Sequence, residues 1–229
     1  MLKRILLFIS LIVLTIVNGC IFSEQPMPQI TKTYPPLTEN LTPQPDLQKD
    51  KPLRKDKYSD WLPIQNENKF RWEAIVIHHS GCDYGDRNHI DKCHKARGFD
   101  GVGYHFIINN GVFQNGFGKP DGLVEISYRW KKQLTAAHCR VIGDRSNYWN
   151  IHSIGICLIG NFENTTPTEK QWKSLVKLVK FLQQRYHIPS TRICGHRDVK
   201  PTKCPGTNFS FAEFNLRLAR YKANLASAN

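Results

Sequence analysis

Acidic residues are scarce in this chain. Asp and Glu number 19 against 32 Lys and Arg, which leaves a formal charge of +13 over 229 residues. An excess of that size suits an anionic partner such as a wall polymer, a peptide carboxylate or a lipid headgroup. No nucleic-acid-binding motif accompanies the charge, so nucleic acid is not an expected partner. There is no internal repeat, which excludes a solenoid or a propeller. The apolar run from Leu6 to Val17 is too short for a comfortable membrane span. From Ile21 to about Asn68 there is no sustained apolar period. Pro26, Pro28, Pro35, Pro36, Pro43, Pro45 and Pro52 are scattered there among polar residues. A stretch of this kind cannot bury enough apolar surface to fold alone, and reads as a semi-extended tether.

What is present at the start is a targeting segment. Lys3 and Arg4 precede the apolar run, and Val17-Asn18-Gly19-Cys20 follows it. The last four residues look like a bacterial lipobox, with cleavage before Cys20 and lipid attached to its thiol. An ordinary secretory signal and an uncleaved anchor are the alternatives; each places the remainder outside the cytoplasm. The expected organisation is a lipoprotein signal peptide at 1–20, a Pro-rich tether at 21–68 and one domain at 69–229. Ile21 after the lipidated Cys, rather than Asp, favours an outer membrane where the cell has one. About 160 residues remain for the domain, enough for a real core, and a monomer is expected.

The chemistry concentrates in Gly195-His196-Arg197-Asp198-Val199-Lys200-Pro201-Thr202-Lys203-Cys204-Pro205-Gly206. Pro201 and Pro205 prevent one continuous helix, so a loop can bring His196 and Cys204 to one point. An imidazole and a thiolate suit a borderline-soft divalent metal such as zinc. A catalytic site of that kind takes three protein ligands. The third is sought at the end of Glu73-Ala74-Ile75-Val76-Ile77-His78-His79-Ser80. Its β-branched run reads as a buried central strand. Successive strand side chains point to opposite faces, so only one of His78 and His79 can face the metal.

Elsewhere the pattern alternates strands and helices. A helix is expected over Asp86–Arg97, with His94, Lys95 and Arg97 at its negative end. Gly103–Asn109 reads as a strand, with Val112-Phe113-Gln114 as its hairpin partner. Leu134–Cys139, Ser153–Ile159 and Arg192–Cys194 read as further strands. Thr166-Pro167-Thr168-Glu169 and Ser210-Phe211-Ala212-Glu213 read as capping boxes opening two helices. In the first of these, Trp172, Leu175, Val176, Val179 and Leu182 share one face. The fold class is α/β, a mixed central sheet flanked by helices.

Taken together, IVIHHS, GVGYHFII, SIGICLIGNF and GHRDVKPTKCPG, in this order, resemble the zinc-dependent N-acetylmuramoyl-L-alanine amidases. Within them they are most similar to the branch of phage lysozyme-type amidases and peptidoglycan recognition proteins. The likeness covers about residues 70 to 220. It implies that His78, His196 and Cys204 hold Zn2+, with His79 left structural. It implies a peptidoglycan hydrolase in which zinc-activated water opens the amide between N-acetylmuramic acid and L-alanine of the stem peptide. It implies a catalytic role for Tyr104, which orients water or donates to the oxyanion. Thr202 stands where phage-type relatives often carry Lys, so the oxyanion stabiliser is open. His138 matches a family His near the substrate cleft. Cys157 stands where a more distant branch uses Glu. Arg197 and Asp198 are expected to stabilise the loop, with Asp198 able to orient His196. The partners implied are peptidoglycan and, through the N-terminal lipid, a membrane, in the cell envelope.

Cysteine arithmetic then leaves Cys82, Cys93, Cys139, Cys157 and Cys194 beside lipidated Cys20 and metal-bound Cys204. Cys82–Cys93 is the expected pair and Cys157 the expected buried free thiol. The competing reading is a peptidoglycan-binding module that does not cut. The complete ligand set and Tyr104 favour the enzyme.

Overall fold

The computed structural model describes residues 59–64, 67 and 71–226, with side chains to residue 221. Its centre is a five-stranded sheet in the order β3-β2-β4-β1-β5. The strands are β1 (Ala74–His79), β2 (Phe106–Ile108), β3 (Val124–Ile126), β4 (Ser153–Leu158) and β5 (Ile193–Gly195). β1 pairs in parallel with β4 and with β5, and β2 pairs in parallel with β4. Only β3 runs antiparallel, against β2. All of β1 and β4 is buried, as the continuous apolar runs require of strands covered on both faces.

Helices cover both faces. Ile75 and Ile77 of β1, Ile154 and Ile156 of β4, and Phe106 lie in one cluster with Trp172, Leu175, Val176, Val179 and Leu182 of α4 (Glu169–Tyr186). Phe214 and Leu218 of α6 (Phe211–Ala226) join that cluster. Ile107, Cys157 and Ile159 point the other way, onto Ile90 of α1 (Arg87–Ala96) and Val102. Strand alternation therefore sends Ile75, Ile77 and His79 toward α4, and Val76 and His78 toward α1. Three short helices complete the fold: α2 (Tyr128–Lys131), α3 (Tyr148–His152) and α5 (His196–Val199).

Several expectations are corrected. The hairpin partner of β2 is Val124–Ile126, not 112–114. Gln114 instead bridges Phe117 around Asn115 and Gly116, both at positive φ, and Val112 and Phe113 are exposed. Residues 134–139 form no strand. Their backbone donors find scattered acceptors: Leu134 on Arg129 O, Ala136 on Asn150 O, Ala137 on Gly103 O. His138 and Cys139 both donate to Asn150 Oδ1, at 2.9 and 2.8 Å. The capping box of α4 starts at Thr168 rather than Thr166. Thr168 Oγ1 accepts from Gln171 N, and Gln171 Oε1 accepts from Thr168 N. Gln171 Nε2 also donates to Ile108 O and Ile159 O, and these tertiary bonds select the register. At α6 only half a box forms: Ser210 Oγ accepts from Glu213 N, while the Glu213 carboxylate takes Arg217.

Two residues before 69 also pack on this domain. The Trp61 ring meets Phe181 of α4 edge-on at 5.6 Å, and its carbonyl accepts from Trp130 Nε1. Glu67 takes Arg185 and the Tyr186 hydroxyl. One Trp and one Glu in polar sequence carry no periodicity to detect. The expected signal peptide, Cys20 and most of the tether lie outside the described residues. Cys93 is a free thiol, so the expected Cys82–Cys93 pair is not formed.

Candidate metal centre and active site

Two adjacent parallel strand ends and a returning loop build the site. β1 delivers His78, and β5 runs through Gly195 directly into α5, whose first residue is His196. Asp198 caps that turn by accepting from Gly195 N at 2.8 Å. The loop then returns to place Cys204. Arg197 N donates to Cys204 O, and its guanidinium donates to Gly206 O and Phe209 O. Arg197 and Asp198 thus hold the loop, as the sequence suggested.

His78, His196 and Cys204 come together, with one donor atom from each inside 4.8 Å of the others. The donor atoms follow from the hydrogen bonds. His78 Nε2 lies 2.8 Å from His138 Nδ1, which leaves His78 Nδ1, 3.6 Å from Cys204 Sγ. His196 Nε2 is buried with no hydrogen-bond partner. An orphaned imidazole nitrogen beside a second free one and a thiol is costly unless a cation occupies the point between them. The donor set therefore fits a metal.

Electrostatics agree with that fit. Burial, reinforced by the neighbouring His196 and His138, pushes His78 well below the ordinary histidine range. Burial pushes His196 down to about 3. Both rings are therefore neutral, the state a ligand needs. Burial pushes the Cys204 thiol up to about 12, opposed by the His79 backbone N–H and Arg197. A buried thiolate here needs a cation close by.

His138 contacts a ligand ring. It is 8 % exposed and sits behind His78. The only arrangement leaving His78 Nδ1 free has His78 Nε2–H donating to His138 Nδ1. His138 Nε2–H then points to Ser153 O at 3.4 Å. The chain fixes the His78 tautomer and ring plane. Its fit is close: a Cβ on Gly155 would meet the His138 ring at 2.5 Å. His138→Ala should weaken metal affinity about 10- to 100-fold while the ligands stay in place. Competition with a chromogenic chelator measures this, and an unchanged affinity would remove the orienting role.

His79 is structural. Its Nδ1 accepts from Phe162 N at 3.1 Å, and its backbone N–H points at Cys204 Sγ at 3.4 Å. Tyr104 stands over the ligands, its ring centroid 5.0 Å from that of His78. Burial, then the Cys157 and Cys204 thiols, push its phenol well above the usual range, so it keeps its proton. Thr202 Oγ1 accepts from Cys204 N at 3.3 Å and so helps shape the ligand turn. Cys157 is fully buried beside Tyr104.

Two residues were missed. His94, read as a cation at the end of α1, is 6 % exposed. Its Nδ1 accepts from Gly103 N, and its ring lies 5.4 Å from Tyr104. Its spacing of four from Ile90, on the buried face of α1, was the available signal. Asn150 anchors the His138 segment, and nothing local announced it.

Acid should unfold the metal-free protein early. Burial holds His79, His94 and His138 down to about 4, whereas unfolded histidine titrates near 6.5. The unfolded chain takes up protons first as pH falls. The stability is therefore complete above about pH 6.5 and is lost progressively toward about pH 4. Thermal unfolding with chelator across that window reads the loss. A flat Tm would mean these rings are charged in the folded state.

Comparison with known proteins follows the same geometry. A family model described as N-acetylmuramoyl-L-alanine amidase matches residues 68–207, which include every site residue above. The chain is 32% identical over 153 residues to an endolysin of Enterobacteria phage T3, covering 62% of this chain and 85% of that one. It is 29% identical over 173 residues to peptidoglycan-recognition protein LB of Drosophila melanogaster, covering 69% of this chain and 66% of that one. Among solved structures, N-acetylmuramoyl-L-alanine amidase LysC from Clostridium intestinale matches with a TM-score of 0.54 at 29% identity, covering 69% of this chain and 97% of that one.

Proposed function

Because the chain belongs to the N-acetylmuramoyl-L-alanine amidase family, we propose that it is a peptidoglycan hydrolase that opens the amide between N-acetylmuramic acid and L-alanine. The observation that carries this reading is the convergence of His78, His196 and Cys204 beside Tyr104. Zn2+ is the ion the two imidazoles and one thiolate select, since carboxylate oxygens are absent from the set. When bound, zinc polarises the amide carbonyl and makes water acidic enough to attack near neutral pH.

The chain's own residues do the rest. His138 keeps His78 in the ligating tautomer. Tyr104, protonated, donates to the negative charge that develops on the carbonyl oxygen. The Thr202 hydroxyl offers one neutral hydrogen bond and no charge, so the larger share falls to Tyr104. The N-terminal sequence adds a lipid anchor at Cys20, in the cell envelope.

The test is a digestion of purified peptidoglycan by the full chain, with and without a chelator, read by mass spectrometry. Free stem peptides beginning with L-alanine, lost on chelation and restored by zinc, are the expected products. Binding to peptidoglycan without such products would replace the hydrolase with a recognition module.

A further inference from the structure

The sheet face opposite His78 carries a basic groove that the site does not use. It lies between α4 and α6, with a volume of about 460 Å³, over Trp172 and Val176. Lys173, Lys177 and Arg220 rim it and are exposed. None of the three forms an ion pair among the described residues. Arg217 is different: it is held by Glu169 and Glu213 and lies 5.6 Å over the Trp172 ring. The arrangement is an aromatic floor with Lys173, Lys177 and Arg220 around it, and Glu169 at its edge in electrostatic reach of Lys173. On the outer side of α6, next to Arg217, Leu216 is 45 % exposed.

We propose that this α4–α6 face docks on an anionic phospholipid surface. Charge is the first argument, because three cations on one face attract anionic headgroups additively. The exposed Leu216 is the second, an apolar side chain placed to enter the headgroup layer beside those cations. The third is chain path. The polypeptide enters the domain where Trp61 packs on Phe181 of α4, one helical turn beyond Lys177. The 58 residues that precede Ser59 in the sequence contain the apolar run and Cys20. Docked this way, the face toward which His78 points is turned away from the membrane. The surface stands apart from the chemistry, so the proposal holds whether the centre cuts or only binds.

Lysine footprinting on the full chain tests it. A water-soluble acylating reagent is applied to protein on phosphatidylglycerol-containing vesicles and on pure phosphatidylcholine vesicles, with modification read by mass spectrometry. Lys173 and Lys177 should be protected on the anionic vesicles only. Lys95, on α1 with its side chain 59% exposed, should stay equally reactive on both. In a Lys173→Gln, Lys177→Gln, Arg220→Gln variant, the gain in vesicle affinity given by phosphatidylglycerol should fall on the order of a hundred-fold. Digestion of soluble peptidoglycan fragments should be unchanged. Equal reactivity of Lys173 and Lys177 on both vesicles overturns the proposal. So does protection of these lysines by lipid-free cell wall alone, which would assign the face to a wall polymer. Failure of the amidase reading would show in the digestion and leave the footprint intact.

Discussion

Cys204→Ala is expected to remove the bound metal and all measurable hydrolysis together. Cys204 supplies the only anion among the three donors. Without it two neutral imidazoles remain, both held neutral by burial, and two such ligands are too few for a catalytic zinc. The fold should survive. The sulfur's recorded partners are the backbone N–H and carbonyl of His79 and the His78 ring, and alanine leaves only a small void. Because the metal-free thiol is held near 12, metal uptake by the parent protein must release a proton, and affinity should rise with pH. Elemental analysis, proton release on zinc addition and the peptidoglycan digestion form one experiment. A Cys204→Ala protein that keeps one equivalent of zinc and its activity would mean that a different residue is the third ligand.

Tyr104→Phe should separate chemistry from metal binding. The change deletes one oxygen and keeps the ring that packs 5.0 Å from His78 and 5.4 Å from His94, so zinc content and folding should match the parent. Turnover should fall about a hundred- to a thousand-fold, the usual cost of losing one donor to a developing oxyanion. Burial sets the sign of the pH effect. The phenol sits well above its ordinary range, so the parent keeps this donor through neutral and mildly alkaline pH. A kcat unchanged in the zinc-loaded variant would transfer the role to Thr202 or to no side chain.

The two outcomes rest on differently legible parts of the sequence. The His196–Cys204 loop could be read directly, because two prolines forbid a helix and the residue types are metal donors. The buried strand leading to His78 was equally plain from its β-branched run. Which of His78 and His79 faces the metal was not decided by the residues alone. Alternation excludes both together but does not say which face holds the loop. The resemblance chose His78, and the partners of His79 on Phe162 and Cys204 agree.

By itself, then, the sequence determined the α/β class, the central strands, the apolar face of α4 and the His196–Cys204 loop, while the choice of His78 and the role of Tyr104 rest on the family resemblance. The former depend on local spacing, and period, turn chemistry and residue type are all local. Tertiary structure alone decided the rest. It set His138 against His78, through a 2.8 Å contact between residues 60 apart. It replaced an expected strand at 134–139 with a segment pinned by the Asn150 amide. It chose Val124–Ile126 over 112–114 as the partner of β2, and it packed Trp61 and Glu67 on the domain. Each of these is a choice among distant partners for a buried polar or aromatic group. Burial makes an unmatched group costly, but which partner meets it depends on where the whole chain packs.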